Sequence, residues 1–438
     1  MTELVTGWGR ATATASHVLD VEDAEAVARA VRTADGRGLL VRGLGRAYGD
    51  AALNAGGTLL RLPRSAPVPV PGPDGTVTVA AGTSLGALLD AVLPHGWFVP
   101  VTPGTRHVTV GGALAADVHG KNHHRDGTFG AHVESLTLVD GTGEVLVLER
   151  GDPLLGAVLG GMGLAGVVLS ARVRLLPVTS SSVTVHTRRT SSLEATMSAL
   201  VEDDAAHRYT VAWVDLVVGG RAHGRGVVTS GDHADRDEPG ARPVELHRGP
   251  RAVDVPPSPV GLVGRHGLRA VNELYLRRAP VRPTVTHEDP TTFFHPLDVV
   301  GRWNRLYGPR GFVQYQVAVP TDDDLLDLVA LLHRERVVVA LAVLKRFGLA
   351  SGAPLSFPVP GWTLALDVPA DPGVAPTLDR ADALVAAAGG RTYLAKDART
   401  RPDVLAAMYP ELPRWRSLRE RLDPHHVFTS DLARRLQL

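Results

Sequence analysis

Lysine is rare in this chain, and its three occurrences are well suited to acid–base chemistry. Among 46 basic residues only Lys121, Lys345 and Lys396 are lysine, and the others are arginine. A bias toward arginine replaces lysine wherever any cation suffices, so a retained lysine marks a place where arginine fails. An ammonium is a compact charge whose proton can be removed, whereas a guanidinium is a wide fork that stays charged. We therefore expect the three lysines to share one polar site.

Two of these lysines also permit a simpler interpretation. Lys345 ends an apolar run at 337–344 and would cap a strand in solvent, whereas Lys396 lies beside Asp397 and would form a surface ion pair. Only the scarcity of lysine favours a shared site over these alternatives.

Glutamine is equally rare. Gln314 and Gln316 lie two residues apart in a predicted strand, and Gln437 is the third glutamine. Alternate residues of a strand point to one face, so both amides lie on the same side of the sheet. A buried amide is costly unless it is hydrogen-bonded, which favours a polar site. On a solvent-exposed face the pair would have no special role.

The densest group of polar residues is the string His119-Gly120-Lys121-Asn122-His123-His124. A metal site is one interpretation, because His119 and His123 are four residues apart, but Gly120 disfavours a helix and the sequence shows no second shell rich in Asp and Glu. A solvated loop is the second interpretation. We favour a third, in which the string is a loop at the reactive end of a cofactor and Lys121 supplies charge.

Three glycine-rich stretches predict a binding site for a dinucleotide. Gly43, Gly45 and Gly49 follow a predicted strand, and further glycines cluster at 103–112 and 160–166. Exposed backbone N–H groups in such turns can bind a pyrophosphate. The spacing differs from the Rossmann pattern, and no amphipathic helix follows directly. Each cluster alone would be an ordinary turn, but three of them indicate one long ligand between loops.

Strands and short helices must hold these loops. In the first third, strands are predicted at 38–42, 76–81, 98–101 and 167–175, with a helix at 84–93 and a hairpin formed by 135–138 and 143–148. Beyond residue 176, strands are predicted at 179–190, 209–218, 312–319, 337–344 and 362–368, with helices at 193–202, 322–333 and 377–388. The stretch 230–290 is predicted to be a long loop or partly disordered.

Composition limits the class of protein. A chain of 438 residues predicts two or three domains, and a net charge of +0 gives no broad basic field for nucleic acid. The absence of cysteine excludes disulfides, thiolate metal sites and a cysteinyl link to a cofactor. The N-terminus does not resemble a signal peptide, and the longest apolar run is too short to span a membrane. We expect a cytoplasmic protein.

Several motifs together resemble the FAD-binding fold of the vanillyl-alcohol-oxidase type. They are Gly43-Leu-Gly-Arg-Ala-Tyr-Gly-Asp50, Pro103-Gly-Thr105, Val110-Gly-Gly-Ala113, Asp117-Val-His-Gly-Lys-Asn-His-His124, Phe294-His-Pro-Leu-Asp298, Trp303-Asn-Arg-Leu-Tyr-Gly308, Gln314-Tyr-Gln316, Leu355 to Trp362, Lys396-Asp397 and Asp423 to Leu436. Within this fold the chain most resembles the decaprenylphosphoryl-β-D-ribose 2′-oxidase family of actinobacteria, over nearly its whole length.

The resemblance implies an α+β protein with a two-lobed FAD-binding domain and an antiparallel-sheet substrate domain. The implied boundaries are 1–176 for FAD binding, 177–390 for substrate binding, and 391–438 for a C-terminal segment that returns to the FAD domain. The implied reaction is FAD-dependent oxidation of the 2′-hydroxyl of polyprenylphosphoryl-β-D-ribose to a ketone. It is the first half of an epimerisation that supplies arabinose for cell-wall arabinan.

The resemblance also assigns residues. Implied FAD contacts are Gly43, Leu44, Gly45, Arg46, Ala47, Tyr48, Gly49, Asp50, Gly104, Thr109, Val110, Gly111, Gly112, Ala116, Asp117, Val118, His119, Val168 and Tyr393. Implied catalytic residues are Lys396, Tyr48 and His119, where Lys396 with Tyr48 positions or deprotonates the hydroxyl. Implied substrate contacts are Lys121, Lys345, Gln314, Gln316, Trp213, Phe294, Thr363 and Ala365.

Three of these positions depart from the family pattern. Ala365 replaces a frequent cysteine, Phe294 a tyrosine, and Thr363 an asparagine, so the pocket around the sugar is altered. Because cysteine is absent and the first glycine loop contains no histidine, we also expect FAD to be held without a covalent bond.

The partners implied by the resemblance are a lipid-linked sugar phosphate as substrate and a short-chain reductase that acts on the keto product. Peripheral contact with the inner face of a membrane is also expected. Two alternatives stay open. One is an oxidase of free alditols or aldonolactones that uses oxygen, and the other is a non-catalytic nucleotide-binding protein.

Overall fold

The computed structural model describes residues 1–64, 66–245 and 252–438. Its strands are β1 (Thr2–Thr6), β2 (Ala13–Asp20), β3 (Leu39–Val41), β4 (Thr58–Arg61), β5 (Thr76–Ala80), β6 (Trp97–Phe98), β7 (Val133–Val139), β8 (Val145–Glu149), β9 (Val167–Arg174), β10 (Leu176–Pro177), β11 (Val183–Thr190), β12 (Tyr209–Val214), β13 (Gly226–His233), β14 (Val253–Asp254), β15 (Thr284–Glu288), β16 (Val300–Gly301), β17 (Phe312–Val319), β18 (Leu341–Phe347), β19 (Gly361–Pro369) and β20 (Arg391–Thr392). Its α-helices are α1 (Ala24–Arg32), α2 (Leu85–Val92), α3 (Val110–Ala115), α4 (His123–Asp126), α5 (Leu155–Val158), α6 (Leu193–Ala206), α7 (Arg265–Arg278), α8 (Pro290–Phe294), α9 (Asp322–Arg334), α10 (Ala375–Ala387), α11 (Pro402–Met408), α12 (Leu412–Leu422) and α13 (Asp431–Leu436).

Two four-stranded sheets carry the glycine-rich loops. The first has the order β1-β2-β4-β3, and the loop at 43–50 follows β3. The second has the order β5-β9-β7-β8, is antiparallel, and contains the predicted hairpin as β7 and β8. In β5, buried Val77 and Val79 alternate with exposed Thr78, so one face of the strand packs into the core.

A larger antiparallel sheet of eight strands has the order β15-β11-β13-β12-β18-β19-β17-β20. Helix α6 packs on β12 and β13, α9 on β19, and α10 on β17. Helix α9 begins with a capping box formed by Thr321 and Asp324 and buries Leu325 and Leu328. The chain thus combines antiparallel sheets with helices that pack on the eight-stranded sheet, which confirms the predicted α+β class.

Three neighbouring strands of the large sheet bring polar side chains into register. Three rows of directly opposed residues cross β17, β19 and β18: Gln314–Asp367–Leu341, Gln316–Ala365–Val343 and Ala318–Thr363–Lys345. Directly opposed residues point to the same side of a sheet. The rows therefore form one continuous surface.

The predicted loop at 230–290 is wrong where it covers the 14-residue helix α7 and the strand β15. Helix α7 has no recognisable amphipathic pattern, because Val271 and Leu274 are exposed while Asn272 is buried. The same prediction also covers residues 246–251, which lie outside the described residues.

The strand predicted at 337–344 lies further along the chain. Residues 337–340 leave the end of α9, where the backbone of Arg336 is left-handed with φ of 55°, and β18 spans Leu341–Phe347. Lys345 therefore lies within the strand and does not cap it in solvent.

The C-terminal helices return to the sheets that carry the glycine loops. Trp415 donates from Nε1 to the carbonyl of Ala157, and buried Arg419 donates to the carbonyls of Leu164 and Phe428. These contacts fix the last forty residues against the first half of the chain.

Candidate active site

A cavity of about 330 Å³ lies between the glycine-rich loops and the polar face of the large sheet. The loops contribute Gly43, Leu44, Gly45, Arg46, Ala47, Tyr48, Gly104, Thr109, Gly111, Gly112, Ala116, Val118, His119 and Val168. The sheet and the C-terminal segment contribute Gln314, Gln316, Leu341, Val343, Lys345, Ala365, Tyr393 and Lys396. The cavity therefore brings together most of the residues named from the sequence.

The first glycine loop presents unpaired backbone donors. In the described part of the chain, the N–H groups from Gly43 to Ala47 have no hydrogen-bond acceptor, and these residues line the cavity. Gly45 has φ of 65°, and a Cβ on Gly43 would come within 2.4 Å of Thr109 Oγ1. Consecutive N–H groups facing a cavity are a suitable cradle for an anionic pyrophosphate. The donors present therefore fit a dinucleotide such as FAD.

The same loop is fastened to the segment that carries Lys396. The N–H of Tyr48 donates to the carbonyl of Ala395 at 3.0 Å. A Cβ on Gly49 would come within 1.7 Å of the carbonyl oxygen of Asp397, so only glycine permits this approach. Arg435 links the two segments further, because it forms ion pairs with Asp50 at 2.8 Å and with Asp397 at 2.9 Å.

Two lysines reach the cavity and the third lies behind it. Lys345 and Lys396 line the cavity, and Lys345 Nζ is 3.4 Å from the carbonyl oxygen of Gly120. Lys121 does not line it, because its ammonium donates to the carbonyl of Phe293 and lies 4.0 Å from the centroid of that ring. The expectation that the three lysines share one polar site therefore fails for Lys121, whose ammonium does not line the cavity.

The three ammonium groups are nevertheless electrostatically coupled. Burial lowers the pKa of Lys345 to about 8. Burial and the charge of Lys345 lower the pKa of Lys121 to about 7 and that of Lys396 to about 7. All three values lie well below the ordinary 10.5, because charged amines are poorly solvated here and repel one another. An anion bound among them would relieve that repulsion.

Asp367 is a buried carboxylate that interacts with Gln314 and Lys396 of the cavity wall, and it is absent from the predicted set. Its Oδ1 accepts from Gln314 Nε2 at 2.5 Å, and burial raises its pKa to about 6, opposed by Gln314 and Lys396. It lies on the same face of β19 as Thr363 and Ala365, so extending that alternation by two residues would have found it.

Tyr48 has a different role from Lys396. Burial raises the pKa of its hydroxyl, and the nearby Asp367 carboxylate raises it further. The hydroxyl therefore stays protonated and is able to donate a hydrogen bond. Lys396 Nζ lies 5.3 Å from the centroid of the Tyr48 ring. Of these two neighbours, only the lysine can change its protonation state near neutral pH.

His119 is held as a neutral imidazole. Its Nε2 is 3.0 Å from Gln316 Nε2, and the same amide nitrogen donates to Thr363 Oγ1 at 2.9 Å. Burial, together with the charges of Lys345 and Lys396, holds the pKa of His119 well below 6.5. Its buried Nδ1 has no partner in the described part of the chain and is available to a ligand.

The other histidines of the string have structural partners. His123 Nδ1 accepts from the N–H of Gly348, and His124 Nε2 is 3.0 Å from the carbonyl of His207. His119, Asn122 and His123 are buried, which contradicts the solvated-loop interpretation.

Several predicted residues lie outside the cavity wall. Gly49, Asp50, Val110 and Asp117 support the loops, and the Asp117 carboxylate accepts from the Gly130 N–H and two serine hydroxyls. Thr363 does not line the cavity and accepts a hydrogen bond from Gln316, which does. The wall instead includes residues absent from the predicted set: Trp8, Leu297, Asp298 and Trp303.

Two predicted aromatic contacts also lie outside the wall. Phe294 is buried with its ring 4.8 Å from that of Tyr209, so it belongs to the core. The ring of Trp213 packs 4.8 Å from that of Tyr275.

Comparison with known proteins agrees with this geometry. Residues 15–149 match the FAD binding domain family, and residues 366–436 match the D-arabinono-1,4-lactone oxidase family. The chain is therefore an FAD-dependent oxidoreductase, and the cavity with its free N–H groups and lysines is its candidate active site.

Two relatives that match most of the chain narrow the class of enzyme, and a third matches about a quarter of it. Decaprenylphosphoryl-beta-D-ribose oxidase of Mycolicibacterium smegmatis is 39% identical over 100% of this chain and 98% of that protein. The chain belongs to this family. An uncharacterized protein in the mprA 5′ region of Streptomyces coelicolor is 44% identical over 81% of this chain and 100% of its own length. L-gulonolactone oxidase 3 of Arabidopsis thaliana is 30% identical over 27% of this chain.

Proposed function

We propose that this enzyme oxidises the 2′-hydroxyl of a polyprenylphosphoryl-β-D-ribose to a ketone, with FAD as the oxidant. The observation that carries the proposal is the imbalance of charge at the site. Two lysines in the cavity and a third behind it are coupled to one another, and Asp367 is the carboxylate that partly offsets the charge of Lys396. A neutral polyol would leave that repulsion in place, whereas a phosphodiester would offset it.

In this proposal, different segments of the chain bind FAD and the sugar. Residues 1–176 and 391–438 would hold FAD, and 177–390 would hold the sugar. FAD, when bound, supplies the acceptor for the hydride that leaves the carbinol carbon. Gly43 to Ala47 would bind its pyrophosphate through their N–H groups, and His119 Nδ1 and Lys345, which also line the cavity, would be available to the sugar.

Lys396 takes the hydroxyl proton in this scheme. A general base is most effective when its pKa lies near the working pH, and the pKa of Lys396 is lowered to about 7. Tyr48, protonated throughout, donates a hydrogen bond that orients the same hydroxyl. Lys345 contacts the phosphate or the sugar oxygens directly, and Lys121 adds positive potential from behind the loop.

Anaerobic mixing of the holoenzyme with substrate tests the reaction. Polyprenylphosphoryl ribose should bleach the flavin absorbance in a single turnover, whereas ribitol at the same concentration should not. Polyprenylphosphoryl arabinose, which differs only at the 2′ carbon, is the matched control. Equal bleaching by ribitol would refute the proposal.

We also propose that FAD is held without a covalent bond. Cysteine is absent, and the loop from Arg42 to Asn54 contains no histidine. Denaturation followed by filtration should leave the yellow chromophore in the filtrate. Chromophore retained with the chain would contradict this.

An oxygen-using sugar-lactone oxidase is the second candidate, because residues 366–436 match the D-arabinono-1,4-lactone oxidase family. It predicts hydrogen peroxide release with free aldonolactones. The first candidate predicts instead a keto sugar phosphate, which a separate short-chain reductase would consume, and a substrate that is presented from a lipid surface.

A further inference from the structure

The string from His119 to His124 is bonded to the large sheet along nearly its whole length. Asn122 instead donates to the carbonyl of Pro100. The other residues of the string form hydrogen bonds with residues in, or next to, strands of the large sheet. The bonded pairs are His119–Gln316, Gly120–Lys345, Lys121–Thr210, His123–Gly348 and His124–His207. These bonds fix where the string lies against the sheet.

A single carboxylate lies behind these contacts. The side chain of Asp204, in the last turn of α6, is only 6% exposed. It accepts from the Thr210 hydroxyl, its Oδ1 is 3.6 Å from His124 Nδ1, and its Oδ2 is 3.5 Å from Arg346 Nη1. These three partners belong to β12, the string and β18, so one carboxylate connects all three segments.

Thr210 connects Asp204 to the backbone of the string. Its hydroxyl donates to Asp204, and its N–H donates to the carbonyl of Lys121 at 3.0 Å. His124 makes a second connection. Its Nε2 is 3.0 Å from the His207 carbonyl, which can only accept, so Nε2 carries a proton and Nδ1 faces the carboxylate. Loss of the carboxylate would leave these buried groups without a partner, which is costly.

Arg346 connects Asp204 to the strand that carries Lys345. Adjacent residues of a strand point to opposite faces, so Lys345 lines the cavity while Arg346 reaches Asp204 on the other face of β18. The Arg346 guanidinium also lies 5.4 Å from the centroid of the Trp362 ring. Asp204 thus holds the back of β18 where its front carries Lys345, and Lys345 in turn contacts Gly120 of the string.

We propose that Asp204 is a positioning residue for the substrate. It holds the string and β18 in a fixed relation, so that Lys345 in the cavity and Lys121 behind it keep their positions around the phosphorylated sugar. Asp204 itself does not line the cavity. The inference rests on the proposed function, because that function assigns the bound anion to these lysines.

Asp204→Ala tests this role through the difference between affinity and rate. It should weaken binding of a short-chain prenylphosphoryl ribose by roughly tenfold, because hydrogen bonds to a buried carboxylate are lost. The rate of flavin reduction at saturating substrate should stay near the parent value, because Lys396 and Tyr48 lie on other segments. Asp204→Asn, which keeps an acceptor for the Thr210 hydroxyl, should recover part of the lost affinity. Titration against flavin bleaching measures the affinity, and anaerobic stopped-flow measures the rate.

Two further variants make the test specific. Asp203→Asn is the matched control, because Asp203 is the preceding residue of α6 and pairs instead with Arg188 at 2.6 Å. It should bind substrate as the parent does. Thr210→Val keeps the N–H that bonds Lys121 and removes only the hydroxyl, so it should weaken binding and decides the matter if Asp204→Ala does not fold.

Hydrogen exchange gives a readout that does not depend on the substrate. In the FAD-loaded enzyme, the backbone N–H groups of residues 119–127 should exchange roughly tenfold faster in Asp204→Ala than in the parent, because the string opens locally more often. They should exchange at the parent rate in Asp203→Asn, and both variants should retain FAD.

The outcomes separate this inference from the proposed function. Parent affinity and parent exchange in both Asp204→Ala and Thr210→Val overturn the positioning role alone. Equal loss of affinity, reduction rate and FAD in Asp204→Ala, with Thr210→Val unchanged, assigns Asp204 to overall stability and also overturns it. A parent that does not oxidise the prenylphosphoryl ribose, together with faster exchange in Asp204→Ala, overturns the proposed function and leaves the string held by Asp204.

Discussion

Lys396 should act as the base, and its environment determines what fraction of its side chain is neutral at pH 7. Its pKa is lowered from 10.5 to about 7. At pH 7 about half of such lysines are neutral, whereas about one in 3,000 ordinary lysines is neutral. The site thus raises the fraction of free amine by about three orders of magnitude. Arginine keeps its proton in any such environment.

Substitutions of Lys396 should therefore lower the rate of flavin reduction. Lys396→Met and Lys396→Arg should each lower it by about 10²- to 10⁴-fold, the usual contribution of a general base. The rate is measured by anaerobic stopped-flow with saturating substrate. Retention of the parent rate by Lys396→Arg would mean that positive charge, not proton removal, is what the reaction needs.

The pH profile provides a stricter test through Asp367. In the parent the reduction rate should rise as pH increases through about 7, because deprotonated Lys396 is the active form. The Asp367 carboxylate favours the protonated ammonium, so Asp367→Asn should move this rise to lower pH by about one unit. Asp382→Asn is the matched control, since Asp382 is also a buried carboxylate with its pKa raised to about 6, but it pairs with Arg399 outside the cavity. An unmoved profile in Asp367→Asn would refute the assignment.

Three further predictions follow from the same contacts. Lys345→Met should weaken binding of the phosphorylated substrate by roughly tenfold or more at pH 7. It should also move the rise of the reduction rate to higher pH, because the charge of Lys345 helps to lower the pKa of Lys396. Because the charged form of Lys345 binds phosphate, parent affinity should fall as pH rises through about 8, and titration of substrate against flavin bleaching measures that affinity. Arg435→Met should lower the free energy of unfolding by about 3 kcal/mol in urea titrations, because the buried carboxylates of Asp50 and Asp397 lose their cationic partner. Arg434→Met, at a more exposed ion pair, should lower it by less than about 1 kcal/mol. Gly49→Ala should destabilise the protein and abolish FAD retention because its Cβ meets the Asp397 carbonyl. Gly36→Ala, at an exposed glycine with open space around it and outside the cavity, should leave the melting temperature unchanged.

The sequence predicted the parts of the site that depend on local chemistry. Glycines at 43, 45 and 49 mark backbone that side chains would block, and the structure gives a close contact or a left-handed φ at each of them. The paired glutamines follow from the two-residue period of a strand, and both amides do face the cavity. The glycine loop and the paired glutamines can thus be predicted from residues that are close together in the sequence.

Features that depend on register or on distant partners were harder to predict. The alternation of β19 could have placed Asp367 on the polar face, but its contact with Gln314 depends on the register between β19 and β17, which neighbouring residues do not reveal. Lys121 lies in the right string but turns away toward the Phe293 carbonyl, which is 172 positions distant. Helix α7 was missed because its exposed face breaks the amphipathic rule on which the prediction depends.

The three lysines show why one residue type can serve several roles in one site. Burial and the charge of Lys345 lower the pKa of Lys396 to about 7, and the Asp367 carboxylate opposes that shift. Lys345 has a backbone carbonyl 3.4 Å away and no acidic partner among the causes of its pKa shift, and so it remains available to an external anion. Lys121 contacts a carbonyl and an aromatic ring, and the charge of Lys345 helps to lower its pKa. Arginine would supply the charge at each position but not the titratable proton at 396, so the scarcity of lysine has its clearest chemical reason there.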